Sequence, residues 1–106
     1  MIDKSIIIKV VRQIAETIDP DKVYLFGSYA SGKASEDSDI DILVIKDTLE
    51  PRCKRSIAIQ KLLIGSKIPA DIVVYTNDEF EKEISNRFSF IYATIQNAQL
   101  MYERAH

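Results

Sequence analysis

A chain of 106 residues has the size of one domain, residues 1–106, and at this length folding buries roughly two-thirds of the unfolded surface. Apolar residues at 46% and charged residues at 28% place it among soluble globular proteins, and a net charge of −2 leaves no basic footprint for strong nucleic-acid binding. The single cysteine, Cys53, excludes an internal disulfide.

That cysteine count fits a reducing cytoplasm. The apolar runs are far too short to span a membrane, and Met1 to Ser5 is not followed by the apolar segment of a secretory signal. A cytoplasmic protein with no membrane partner is expected.

Residues 3–18 read as an amphipathic helix. Ile6, Val10, Ile14 and Ile18 recur every four residues, with Ile7 and Val11 widening the stripe, and Asp3 stands at the N-cap. Asp19-Pro20 ends it, because the residue before proline is pushed out of the α region. Residues 22–27 read as a strand whose contiguous apolar run suits burial on both faces. Residues 28–33 form a short helical turn opened by Ser28, and residues 39–46 a second strand.

A loop with Pro51 leads to a helix over 53–65, with Ile57, Ala58, Leu62 and Ile64 among its apolar positions and Gly65 as its stop. Ala70 to Tyr75 is a third strand. Thr76 and Glu79 have the spacing of a capping box, with Tyr75 and Phe80 as its hydrophobic staple. The helix they open keeps its period to about residue 96, with a weak spot at Ser85-Asn86. Asn97-Ala98 reads as a turn, Gln99 to Glu103 as an edge strand, and Arg104 to His106 as frayed.

The fold class expected is α/β (α+β), a small mixed sheet with flanking helices. A helix of crossover length between the second and third strands favours parallel pairing. The link between the first two is too short for a crossover and implies an antiparallel pair. This topology brings Gly27 and Ser28, at the end of the first strand, to the edge where Asp39, Asp41 and Asp71 begin the other two.

Asp39 and Asp41 are two apart in a strand and point to one face, where like charges repel unless cations are present. Mg²⁺ suits oxygen donors of this kind. With Asp71 the set can bracket two metals for in-line phosphoryl displacement. Gly27 lets a phosphate approach the backbone, and the N–H groups that follow can donate to it together with the Ser28 hydroxyl. These parts together suit a nucleoside triphosphate and its metals.

Gly27-Ser28, ten intervening residues, Asp39-Ile40-Asp41 and a later Asp71 resemble the polymerase-β-like nucleotidyltransferase superfamily. The length, the turn from Gly27 to Gly32, the stretch from Ser38 to Val44, and Ser89 to Tyr92 with Leu100 to Glu103 resemble its minimal nucleotidyltransferases (MNT). The resemblance implies an antitoxin that transfers AMP from ATP to a tyrosine hydroxyl of a HEPN ribonuclease toxin. It also implies that Gly27 and Ser28 hold the triphosphate and that Asp39 and Asp41 bind both Mg²⁺ ions. Asp71 would bind the ion nearer the attacking hydroxyl and take its proton. In the family an arginine often stands where this chain has Ser31, and Lys33 offers a point charge nearby. A second reading follows from that departure: an antitoxin with weak catalysis that neutralises its partner by forming a hetero-oligomer.

Blander readings compete at each position. Asp39 and Asp41 can be a solvated strand end, and a calcium loop fails because its sixth and twelfth positions are Ile42 and Thr48. Lys33 can be a solvated charge, and Cys53 a small residue without a role. Tyr92 and Tyr102 read as packing, and Phe88, Phe90 and Tyr92 as a candidate partner surface. His106 is assigned nothing.

Overall fold

The computed structural model describes residues 2–105. Helix α1 (Lys4–Ile18) is followed by strand β1 (Lys22–Phe26), a one-turn helix α2 (Ser28–Ser31) and strand β2 (Ile40–Ile45). Then come α3 (Ile57–Leu63), β3 (Ala70–Tyr75), α4 (Asn77–Ile84), α5 (Phe90–Ile95) and β4 (Gln99–Glu103). Among the described residues these strands form one sheet, ordered β3-β2-β1-β4. β2 runs antiparallel to β1 and parallel to β3, the mixed arrangement expected, and β4 pairs antiparallel with β1 at the other edge.

Alternation along the strands divides the core into two layers. Val23, Leu25, Ile40, Ile42, Val44, Ile72 and Val74 face α1 and α3. Leu43, Ile45 and Tyr75 face the other way, with Phe80 of α4 and Ile91 of α5. Both faces of the central strands are covered, which explains their unbroken apolar runs.

Helix α1 buries Ile7, Val10, Val11 and Ile14, while Ile6 is exposed. The expected stripe is therefore the one that packs, with Ile18 against the core as well and only Ile6 at its edge left exposed. Asp3 occupies the N-cap position, but its carboxylate accepts from the Ser5 hydroxyl (3.0 Å) and caps no backbone N–H.

The helix expected over 53–65 is broken in two. A 3₁₀ turn spans Arg52–Lys54, and α3 begins only at Ile57. Its buried residues are Ile59 and Leu63, whereas Ile57, Ala58 and Ile64 are exposed. The cause is Arg55, whose guanidinium donates to the Glu50 carbonyl (2.9 Å) and to both Glu79 oxygens (2.6 and 3.3 Å). Anchoring this side chain fixes the entry to α3 and so its rotational phase.

The capping box forms as expected. Thr76 Oγ1 accepts from the Glu79 N–H (3.2 Å), and Glu79 accepts from the Thr76 N–H (2.9 Å). The weak spot at Ser85-Asn86 is a real break, and Ser89 then caps α5 by accepting from the Tyr92 N–H (3.0 Å). Arg104 is not frayed. Its backbone N–H donates to the Asp21 carbonyl and its guanidinium pairs with the Asp21 carboxylate, both at 2.9 Å, which ties the end of β4 to the entrance of β1. His106, expected to fray with it, lies outside the described residues.

Glu79, on α4, joins Arg55, Arg52 and the Thr76 backbone. The hydrogen bond from Arg55 is the largest of the influences that lower its pKa from 4.5 to about 2. A folded-state pKa below the unfolded one means stabilisation that is complete above about pH 4.5 and lost as pH falls towards about 2. Glu79→Gln is expected to cost about 1–3 kcal/mol at pH 7. In thermal melts from pH 7 to pH 2.5, the wild type and variant should converge below pH 4.5. A gap that stays constant across that range would rule this account out.

Candidate active site

Phe26 of β1 pairs with Asp41 of β2, and Asp41 pairs with Asp71 of β3. The three residues make a row across the sheet, with side chains on one face and neighbouring strands about 5 Å apart. Asp39 lies just before β2, two residues ahead of Asp41 and exposed. Asp71 is exposed and Asp41 half-buried. The topology thus brings together the carboxylates singled out in the sequence.

Their electrostatics record the proximity. Burial raises the Asp41 pKa above its ordinary value, and the charges of Asp71 and Asp39 raise it further. Among the described residues no ion pair reaches any of the three. The protein has placed three acids together without a cation of its own. Nor do any three acidic, His or Cys side chains among the described residues converge as a finished metal cage. A hard cation with phosphate oxygens as its further ligands fits this donor set, since Mg²⁺ needs only one or two carboxylates beside a bound phosphate.

Gly27 abuts the row. Its backbone lies at φ 72°, ψ −151°, a region essentially reserved for glycine. A Cβ there would overlap the Asp41 carboxylate and stand 3.1 Å from its Cγ. Gly27 also starts α2, its carbonyl accepting from the N–H groups of Ala30 and Ser31, both at 3.1 Å. The first N–H groups of this turn have no acceptor within it. Ser28 is half-buried at its start. Ser31 Oγ donates back to the Ser28 carbonyl (3.3 Å), so the hydroxyl at the family's arginine position is turned onto its own helix.

A cleft of about 470 Å³ opens beside Gly27. Ser31 and Lys33 share its near wall with Gly27, and Phe90, Thr94 and Asn97 supply the far wall from α5 and the turn after it. This far wall is not anticipated from the sequence, which offers Phe90 as a candidate partner contact. Its one signal was an aromatic residue on the exposed side of a helix. Some sixty residues separate the walls in the chain, and only the fold joins them. A larger hollow, of about 550 Å³, lies between the start of α1 and β4; neither space is lined by the three acids, but the cleft borders Gly27 and this hollow does not.

Residues 4–100 match the family model described as nucleotidyltransferase domain. The chain belongs to this nucleotidyltransferase family. A relative from Methanocaldococcus jannaschii, named a "putative protein adenylyltransferase", is 32% identical over 85 residues, which are 76% of this chain and 77% of the relative. Solved structures share the nucleotidyltransferase fold. One from Sulfolobus solfataricus, described as a "putative nucleotidyltransferase", has a TM-score of 0.66 at 21% identity, covering 94% of this chain and 79% of that one. A chain of a toxin–antitoxin assembly crystallised with AMP-PNP has a TM-score of 0.59 at 21% identity, covering 97% and 75%. A chain from a tri-AMPylated Shewanella oneidensis HEPN toxin in complex with an MNT antitoxin has a TM-score of 0.51 at 21% identity, covering 94% and 69%. The mixed sheet and flanking helices of this nucleotidyltransferase are therefore a shared architecture. Among its described residues no helix is long and apolar enough to cross a membrane.

Proposed function

We propose that this nucleotidyltransferase transfers AMP from ATP to a tyrosine hydroxyl of a HEPN toxin and so serves as its antitoxin. The observation that carries the chemistry is Asp41, raised in pKa between Asp39 and Asp71, unpaired with any described cation, and pressed against Gly27. That the acceptor is another protein, which would receive the adenylyl group, is supported by the name of the 32%-identical relative. The toxin partner is supported by the assemblies in which chains of the same fold occur.

In this reading Asp39 and Asp41 would hold two Mg²⁺ ions and Asp71 would hold one of them. The ions supply charge neutralisation to the triphosphate and acidity to the bound hydroxyl. Gly27 and Ser28 seat the triphosphate, and Lys33 approaches it as a point charge. The tyrosine oxygen attacks the α-phosphorus, and the bond from that phosphorus to the bridging oxygen breaks. Pyrophosphate leaves with the bond's electron pair, and the tyrosine proton passes to Asp71. The reaction belongs in the cytoplasm, where the exposed Cys53 stays reduced.

The test is incubation with labelled ATP, Mg²⁺ and a HEPN protein encoded beside this chain. Label should appear on a tyrosine of that protein, require Mg²⁺, and vanish with Asp39→Ala/Asp41→Ala. If the double variant still neutralises the toxin while the wild type leaves the toxin's mass unchanged, the binding antitoxin is the correct reading.

A further inference from the structure

We infer that the cleft between α2 and α5 takes the nucleoside half of the nucleotide, with Phe90 as its stacking surface and Asn97 as the residue that reads the base. This rests on the proposed nucleotide site and adds what that site lacks, a place for the base and ribose.

The first support is position. The cleft is floored by Phe26, which is the register partner of Asp41, and bordered by Gly27. It therefore opens on the same face and at the same end of the sheet as the carboxylate row. A triphosphate lying along Gly27 and Ser28 would border this space. A volume of about 470 Å³ lies within the range of small-molecule sites.

The second support is polarity. The charged lining residue, Lys33, is on the near wall with Gly27. The far wall is neutral: an aromatic ring, a hydroxyl and a carboxamide. A nucleotide has the same asymmetry, anionic at one end and flat, aromatic and uncharged at the other.

The third support is the helix itself. Phe90, Ala93, Thr94 and Asn97 recur at intervals of three and four and so share one face of α5 and its last turn. Phe90 packs edge-to-face on Phe26, with centroids 5.9 Å apart and planes at 84°. That contact holds the ring against the sheet and still leaves the residue 48% exposed. Ala93, between Phe90 and Asn97, carries only a methyl group and keeps the cleft open. Asn97 offers both a donor and an acceptor, the pair needed to recognise an adenine edge. Phe88 is a different case. At 87% exposure it lies outside the cleft, under the guanidinium of Arg87.

The experiment measures equilibrium binding of Mg-ATP, Mg-GTP and Mg-tripolyphosphate to the full chain and to Phe90→Ala, Ala93→Phe and Asn97→Ala. Phe90→Ala should weaken ATP by about 10-fold, the scale of one base-stacking contact, and leave tripolyphosphate unchanged. Ala93→Phe fills the cleft from an exposed position and should do the same or more without disturbing the core. Asn97→Ala should narrow the ratio of ATP to GTP affinity. Circular dichroism melts check that each variant is folded. If the wild type binds ATP and tripolyphosphate, and both Phe90→Ala and Ala93→Phe bind ATP as it does, the cleft is not the nucleoside site and the proposed function stands. If the wild type binds neither ligand, both readings fall. Should Phe90→Ala alter only toxin binding, Phe90 is a partner contact and the inference is overturned.

Discussion

Gly27→Ala is expected to lower nucleotidyl transfer by about 100-fold or more while the chain remains folded. Two effects act together at this position. Backbone at φ 72°, ψ −151° is strained for any residue with a Cβ, at a cost of about 1–3 kcal/mol. The new methyl group also collides with the Asp41 carboxylate, which sits against Gly27 in the folded chain. The strain alone leaves a domain of ordinary stability folded. The collision is the more damaging effect for activity, because it moves a carboxylate out of a row whose spacing the strands set. Gly65→Ala separates the two contributions. Gly65 also has a positive φ, of 92°, but nothing lies within 4 Å of its would-be Cβ. Its alanine variant should lose comparable stability and keep its activity. Measuring kcat/KM and Tm for both variants tests the account, and equal losses of activity in the two would refute it.

Asp41→Asn should have opposite effects on activity and stability. Asparagine keeps the shape of the side chain and removes the charge that burial, Asp71 and Asp39 all disfavour. Without metal, the variant is expected to be more stable than the wild type by about 1 kcal/mol, or about 4–8 °C in Tm. Transfer should fall by roughly 10²–10³-fold or more, as when one preorganised electrostatic contact to a reacting centre is lost. Mg²⁺ provides the decisive comparison. Adding it with a nucleotide should raise the Tm of the wild type and leave that of Asp41→Asn nearly unchanged, so the difference between them shrinks or reverses. A wild type that is more stable than the variant under chelation would show that the carboxylate cluster is not under strain.

The two variants probe one design. The site places an acid, Asp41, where a neutral residue would suit the fold better, and glycine where any side chain would block it. Local departures from what packing favours mark functional positions in folded proteins. Here both departures fall within residues 27–41, together with Asp71 on the adjoining strand.

Much of this was legible in the chain. The strand Ala70–Tyr75, the capping box at Thr76 and the break after Ile84 follow from local chemistry, because each depends on residues within a few positions. The mixed sheet was legible for a similar reason: a short link forces antiparallel pairing, and a helical crossover permits parallel pairing. The misreadings have a common cause. The exposure of Ile6 on α1, the late start of α3 and the anchored Arg104 are each decided by a distant partner. These are the sheet face, Glu79 on α4, and Asp21 at the head of β1.

The sequence by itself determined the order of elements and the identity of the chemical groups from Gly27 to Asp71, because turn geometry, capping and charge are properties of short stretches. The order of elements already brought Gly27 and the three acids to one edge; tertiary structure decided how closely they meet and what closes around them. Strand register set Asp41 beside Asp71, the β1 end pressed Gly27 against Asp41, and the packing of α5 on Phe26 closed a cleft from residues far apart in the chain. The close approach of Gly27 to Asp41 and the cleft under α5 arise from the burial of two sheet faces at once, and no local pattern in the chain encodes them.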